Sequence, residues 1–148
     1  MKGKLKLLAV ALVAAATLAQ AQEYKVITTV ESIVPGGIGR SRITEVQQET
    51  DYKELTTSRT DGKKSDQGDV ERKDIKIDAF DETKLLNFYS ITGINFQNIA
   101  SNDAVITSKL NDLAKEGWEL IFVTSGVESD AGKGDGHGIY ITRYILKK

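Results

Sequence analysis

The chain has 148 residues, with 20 basic and 21 acidic side chains, one histidine and no cysteine. Without cysteine there are no disulfides, no thiol nucleophile and no thiolate metal site. Charges of both signs are interspersed and nearly balanced, which argues against nucleic acid as the main partner.

The first residues read as an export signal. Lys2, Lys4 and Lys6 make a basic start, residues 7–18 are an almost unbroken apolar run, and Ala19-Gln20-Ala21 supplies the small residues a signal peptidase reads. The run is shorter than the roughly 20 apolar residues of a membrane anchor. With no cysteine after it, the lipoprotein route is also closed. The expectation is a signal peptide over 1–21, cleaved after Ala21, and an exported protein, periplasmic or secreted, with no membrane anchor after cleavage. Residues 22–148 then carry 17 basic against 21 acidic side chains, a net charge of −4, on a length suited to a single α+β domain.

Residues 24–30 are rich in β-branched side chains and alternate, with Tyr24, Val26 and Val30 on one face, predicting a strand. Residues 35–42 break it with proline and three glycines. Residues 43–50 resume as an edge strand with few apolar side chains. A polar loop follows around 56–74, with Asp61-Gly62 as a turn. Ile75 and Ile77 alternate with charges and predict a short strand. Residues 85–91 suit a buried strand, or a short helix capped by Asp81, with the strand preferred. Residues 94–99 alternate again and are read as a strand delivering the chain to the main helix.

That helix is the firmest element of the sequence. Ser101, Asn102 and Asp103 offer capping side chains, and Asp103 adds negative charge near the positive end of the dipole. Val105, Ile106, Lys109, Leu110, Leu113 and Ala114 recur at spacings of three and four, apolar except for Lys109. Gly117 stands where a left-handed C′ residue is wanted, and Trp118 at C″ is placed to pack back near Leu113. Gly117, Trp118, Leu110 and Leu113 are therefore read as structural. Beyond them, Trp118, Leu120 and Phe122 share one face of a strand and Ile121 and Val123 the other, predicting a central strand covered on both sides. Residues 125–138 hold five glycines and read as a hairpin loop. Residues 139–146 return as the partner strand. The fold class expected is α+β: an antiparallel sheet with one main amphipathic helix packed on it.

Residues 110–120, Leu-Asn-Asp-Leu-Ala-Lys-Glu-Gly-Trp-Glu-Leu, resemble the signature of a small bacterial domain family of unknown function. Tyr24-Lys25-Val26 is similar to its opening strand and residues 145–148 to its basic close. The resemblance implies strand–helix–strand–strand order with an antiparallel sheet. Here residues 31–101 separate the first strand from the helix, which implies a larger sheet. Residues 30–42 and 93–99 also resemble segments of a group of exported proteins without assigned function. Neither resemblance implies an activity.

Three constellations could carry chemistry. Gly37, Gly39, Arg40, Ser41 and Arg42 could form a backbone nest for a carboxylate or phosphate, with two guanidinium groups and a hydroxyl completing it; the lysine of a P-loop is missing, and the competing reading is a plain tight turn. Glu128, Asp130, Asp135 and His137 superficially resemble a metal loop, but lack the spacing of a calcium loop or a zinc site, so no metal and no cofactor is expected. Tyr140 and Tyr144 share a strand face and could form an exposed aromatic patch with Trp118 nearby. No catalytic residue is identified. A Ser–His–Asp hydrolase would have to use His137 in a glycine-rich loop, and no carboxylate pair stands out for glycoside cleavage. The expected function is an interaction or self-association module without catalytic activity, its partner a second copy or another exported protein. A small-anion binder is the alternative, and a hydrolase ranks third.

Overall fold

The computed structural model describes residues 22–34, 40–62, 65–128 and 138–148. The export signal, the nest glycines Gly37 and Gly39, and the loop carrying Asp130, Asp135 and His137 lie outside those residues. In chain order the elements are β1 (Tyr24–Ser32), β2 (Arg42–Val46), a one-turn helix α1 (Arg72–Ile75), β3 (Phe80–Lys84), β4 (Tyr89–Ser90), β5 (Gly93–Ile94), the main helix α2 (Phe96–Lys115), β6 (Glu119–Glu128) and β7 (Ile139–Lys147). Five strands form one antiparallel sheet in the order β3-β2-β1-β7-β6, and β4 and β5 make a separate small hairpin. The fold is α+β, as the periodicities predict.

Helix α2 packs on one face of the sheet, over β1, β2 and β7. Ile27, Leu113 and Leu146 are buried as one cluster, with Leu110, Trp118 and Tyr144 against it. Ile43, Leu85 and Ile106 form a second, with Val105, Leu110 and Tyr144 against it. Leu110 and Tyr144 touch both clusters and join them into one core. Tyr144 is thus a core residue, and the tyrosine patch reduces to Tyr140, which contacts Phe88 at 5.6 Å between ring centroids.

The C-terminal stop of α2 follows the predicted geometry. Glu116 is the C-cap and Gly117 takes φ +94°. The Gly117 N–H bonds the Ala114 carbonyl and the Trp118 N–H bonds the Leu113 carbonyl, each at 3.0 Å. These are the paired bonds of a Schellman motif. The N-terminus differs from expectation. The cap is Asn95, whose side chain accepts from Gln97 N and Asn98 N, so residues 96–99 are helix rather than strand. Asn102 is instead buried within α2, where its amide donates to Leu86 O and its oxygen accepts from Leu86 N.

Four strand predictions are corrected by the topology. β2 is interior rather than an edge, because β3 pairs along it from Arg42↔Lys84 to Val46↔Phe80. Ile75 ends α1 and Ile77 lies in coil, so no strand forms there. Within residues 85–91 only Tyr89 and Ser90 are strand; Leu85 and Leu86 belong to the connection, held by Leu85 N to Ser41 O and by Asn102. β6 is an edge strand rather than a central one, and all ten of its residues are exposed. Among its described residues, the polar stretch around 56–74 contains only two isolated helical turns, Asp66–Asp69 and the start of α1, and no buried residue.

Candidate functional site: the open sheet face and its outer strand

Side chains of directly paired residues share a face, so register assigns each strand residue to the helix side or the open side. On β1, Ile27 and Thr29 face the helix, while Tyr24, Val26 and Val30 face away. The more apolar face of β1 is therefore the one the helix leaves uncovered. Val46 pairs with Phe80, Val26 with Ile145, and Ile145 with Phe122. These five side chains, one on each strand, form an apolar row across the open face. Phe80, Val46, Val26 and Phe122 are each about half exposed, and Phe122 is the most exposed of them at 57%. Thr44, Thr28 and Thr124 make a polar row beside it, interrupted by Arg143.

β6 ends this face. A bulge between Leu120 and Phe122 shifts the alternation by one residue. Leu120, paired with the buried Leu146, therefore points to the helix side, and Phe122 points to the open side. The predicted sharing of one face by Leu120 and Phe122 is overturned by that extra residue. Val123, paired with Tyr144, and Val127, paired with Tyr140, join Leu120 on the helix side. Helix α2 does not reach far enough across to bury these three, which are between 43% and 59% exposed; Ile121 in the bulge and Phe122 on the open side are exposed to 42% and 57%. Between its terminal glutamates β6 carries no charge and no proline. A smaller apolar group, Tyr89, Ile91, Ile94 and Phe96, stands exposed at the β4–β5 hairpin.

Polar groups on the helix side are used to hold the fold. Glu45 is 4% exposed; Lys25 reaches one oxygen at 2.7 Å, and Lys109 of α2 forms an ion pair with the other. Burial pushes the Glu45 carboxyl up, but hydrogen bonding and charge from Lys109 and Lys25 outweigh it and hold the group below the ordinary carboxylate range. The lone polar residue of the apolar stripe, Lys109, thus has its partner. Glu31 lies opposite in sense: burial raises its carboxyl, the bond from Asn102 at 2.9 Å opposes the shift, and Asp103 adds to it.

The residues predicted to bind an anion are dispersed in role. Ser41 is buried, donates to Asn87 Oδ1 at 2.7 Å and accepts from Ser32 N at 2.9 Å, so its hydroxyl is committed to the connection between β1, β2 and the residues before β4. Arg42 faces Glu82 across β3 in an ion pair. Arg40 is exposed just before β2. A shallow pocket of about 320 Å³ is lined by Ser41, Arg42, Glu82 and Lys84. Among the described residues no group of three or more histidine, cysteine or acidic side chains is placed to hold a metal. No described helix is long and apolar enough to cross a membrane.

Register reveals the apolar row, and single-strand reading misses it because each strand contributes one member. The available signal was the alternation of Tyr24, Val26 and Val30, which marks an apolar face without saying what covers it. No protein-family model, curated protein or solved structure matches the chain.

Proposed function

We propose that this protein is an exported interaction or self-association module that acts through the open face of its sheet and the outer strand β6, without catalysing a reaction. One observation carries the reading. β6 has four consecutive apolar side chains, Leu120 to Val123, patterned for cover on both faces, and occupies a position that leaves all four about half exposed. Exposed apolar surface that is contiguous across a sheet and reaches its edge marks an association site. Phe122 belongs to both surfaces and is the residue to test. The protein should be sedimented alone and mixed with the exported proteins of its own cells, as wild type and as Phe122→Asp. Assembly in at least one condition, lost in the variant, supports the reading; assembly indifferent to Phe122, or none, ends it.

A small-anion binder is the second reading, favoured by Arg42 and Lys84 standing directly opposite one another. Glu82 already accepts the charge of Arg42, so a carboxylate or phosphate would have to displace it. A rise in thermal midpoint with phosphate or small carboxylates, absent in Arg42→Ala, would support that reading by mass action.

A further inference from the structure

We propose that two copies of this chain pair through β6, antiparallel about a two-fold axis, to make one continuous sheet with five strands from each copy. The proposal rests on the interaction reading above and names its partner and its surface. The two edges of the sheet differ in a way that selects β6. The other edge strand, β3, is five residues long and carries Asp81, Glu82 and Lys84, the short charged form that discourages pairing. β6 is ten residues long, and its only charges, Glu119 and Glu128, stand at its ends. The bulge lies near its start and leaves Phe122 to Glu128 in regular register with β7, so the outer row of backbone N–H and C=O groups there is regular too.

The same features say why the occupant is a second copy. An antiparallel strand edge is its own complement under a two-fold axis, because each N–H that meets a carbonyl is answered by the reciprocal bond. The interior of β6 is uncharged, and pairing centred on Ser125, the middle of the regular stretch, sets Glu128 against the partner's Phe122 and not against a like charge. Pairing would also turn β6 into a central strand, the position its run of apolar residues from Leu120 to Val123 is patterned for. The five half-exposed apolar side chains of β6 stand above and below the sheet, so a second strand at the edge covers their outward flanks while the outer row of backbone groups makes most of the contact.

The test is the solution mass of the whole protein across a dilution series reaching roughly 100 μM, a range that spans micromolar affinities. Wild type is expected to pass from monomer to dimer. Val123→Lys and Val127→Lys, at exposed positions on β6, are expected to stay monomeric with an unchanged far-UV spectrum, whereas Thr83→Lys on β3 should dimerise as wild type does. Two β6 variants are used so that if one misfolds the other decides. A wild type that is monomeric at the highest concentration, or folded β6 variants that still dimerise, overturns the proposal. The broader reading fails separately: it survives a monomeric wild type if a foreign complex depends on Phe122, and falls only when no assembly does.

Discussion

Lys25 and Glu45 meet across adjacent strands, with the Lys25 ammonium 2.7 Å from a carboxylate oxygen that is almost wholly shielded from water. The same ammonium lies 4.9 Å from the centroid of the Trp118 ring, so the pair ties the sheet to the stop of α2. Lys109 approaches the other oxygen from the helix. Removing the carboxylate leaves two half-buried cations facing each other. Glu45→Gln is therefore expected to lose about 1–3 kcal/mol at neutral pH, less than a fully buried pair because both lysines reach solvent. Chemical denaturation of the two proteins measures the difference.

Buried Glu45 and half-buried Glu31 should shape the pH dependence in opposite directions. Glu45 titrates lower in the folded chain than in the unfolded one, so its contribution is present above the ordinary glutamate value, about 4.3, and is lost as pH falls through the folded value. Glu31 titrates higher when folded, so its contribution is present below the ordinary value and is lost as pH rises through the folded one. Glu31→Gln keeps an oxygen for the Asn102 amide and removes the charge. It is expected to be more stable than wild type at pH 7, with the gap closing as pH falls below about 4. Denaturant midpoints at both pH values check the sign.

Asn102 makes three hydrogen bonds from inside a helix, two to the backbone of Leu86 and one to Glu31. Asn102→Ala would take away the side-chain partner of both the Leu86 amide and the Leu86 carbonyl. A loss of about 1–3 kcal/mol is expected, from two hydrogen bonds removed beside a residue that itself reaches solvent. Amide exchange at Leu86 should accelerate along with the fall in stability.

At Gly117 the cost of a side chain lies in the backbone and not in space. A Cβ there would meet only Lys148 Cε, at an ordinary 3.5 Å. Its φ of +94° is one that L-residues rarely adopt. Gly117→Val is expected to destabilise by roughly 1 kcal/mol or more, and Gly117→Asn by less, since asparagine tolerates positive φ better. Thermal unfolding of the pair separates backbone strain from packing.

What could be read from the sequence is what depends on neighbours along the chain. Gly117 and Trp118 could be placed because a helix stop is decided within a few residues. The start of α2 could not, because Ile94 and Phe96 alternate as a strand would, and Ser101 to Asp103 offer caps that the helix does not use. Residues meeting at long range escaped local reading altogether: Glu45 with Lys109, Ser41 with Asn87, Asn102 with Leu86. The ligand set around Arg40 and Arg42 was drawn from sequence proximity, and the fold spends the Ser41 hydroxyl on structure. β6 is the instructive case. Its run of apolar residues asks for a central position, and strand order, which only long-range pairing decides, puts it at an edge.

The most direct measurement is amide hydrogen exchange along β6, from Glu119 to Glu128, at low and high protein concentration. In an isolated chain the N–H groups that point away from β7 meet solvent and exchange quickly. If a second copy covers this edge, those alternate amides should slow as concentration rises, while amides of β3 stay unchanged. Exchange in β6 that is equally fast at every concentration would contradict the account.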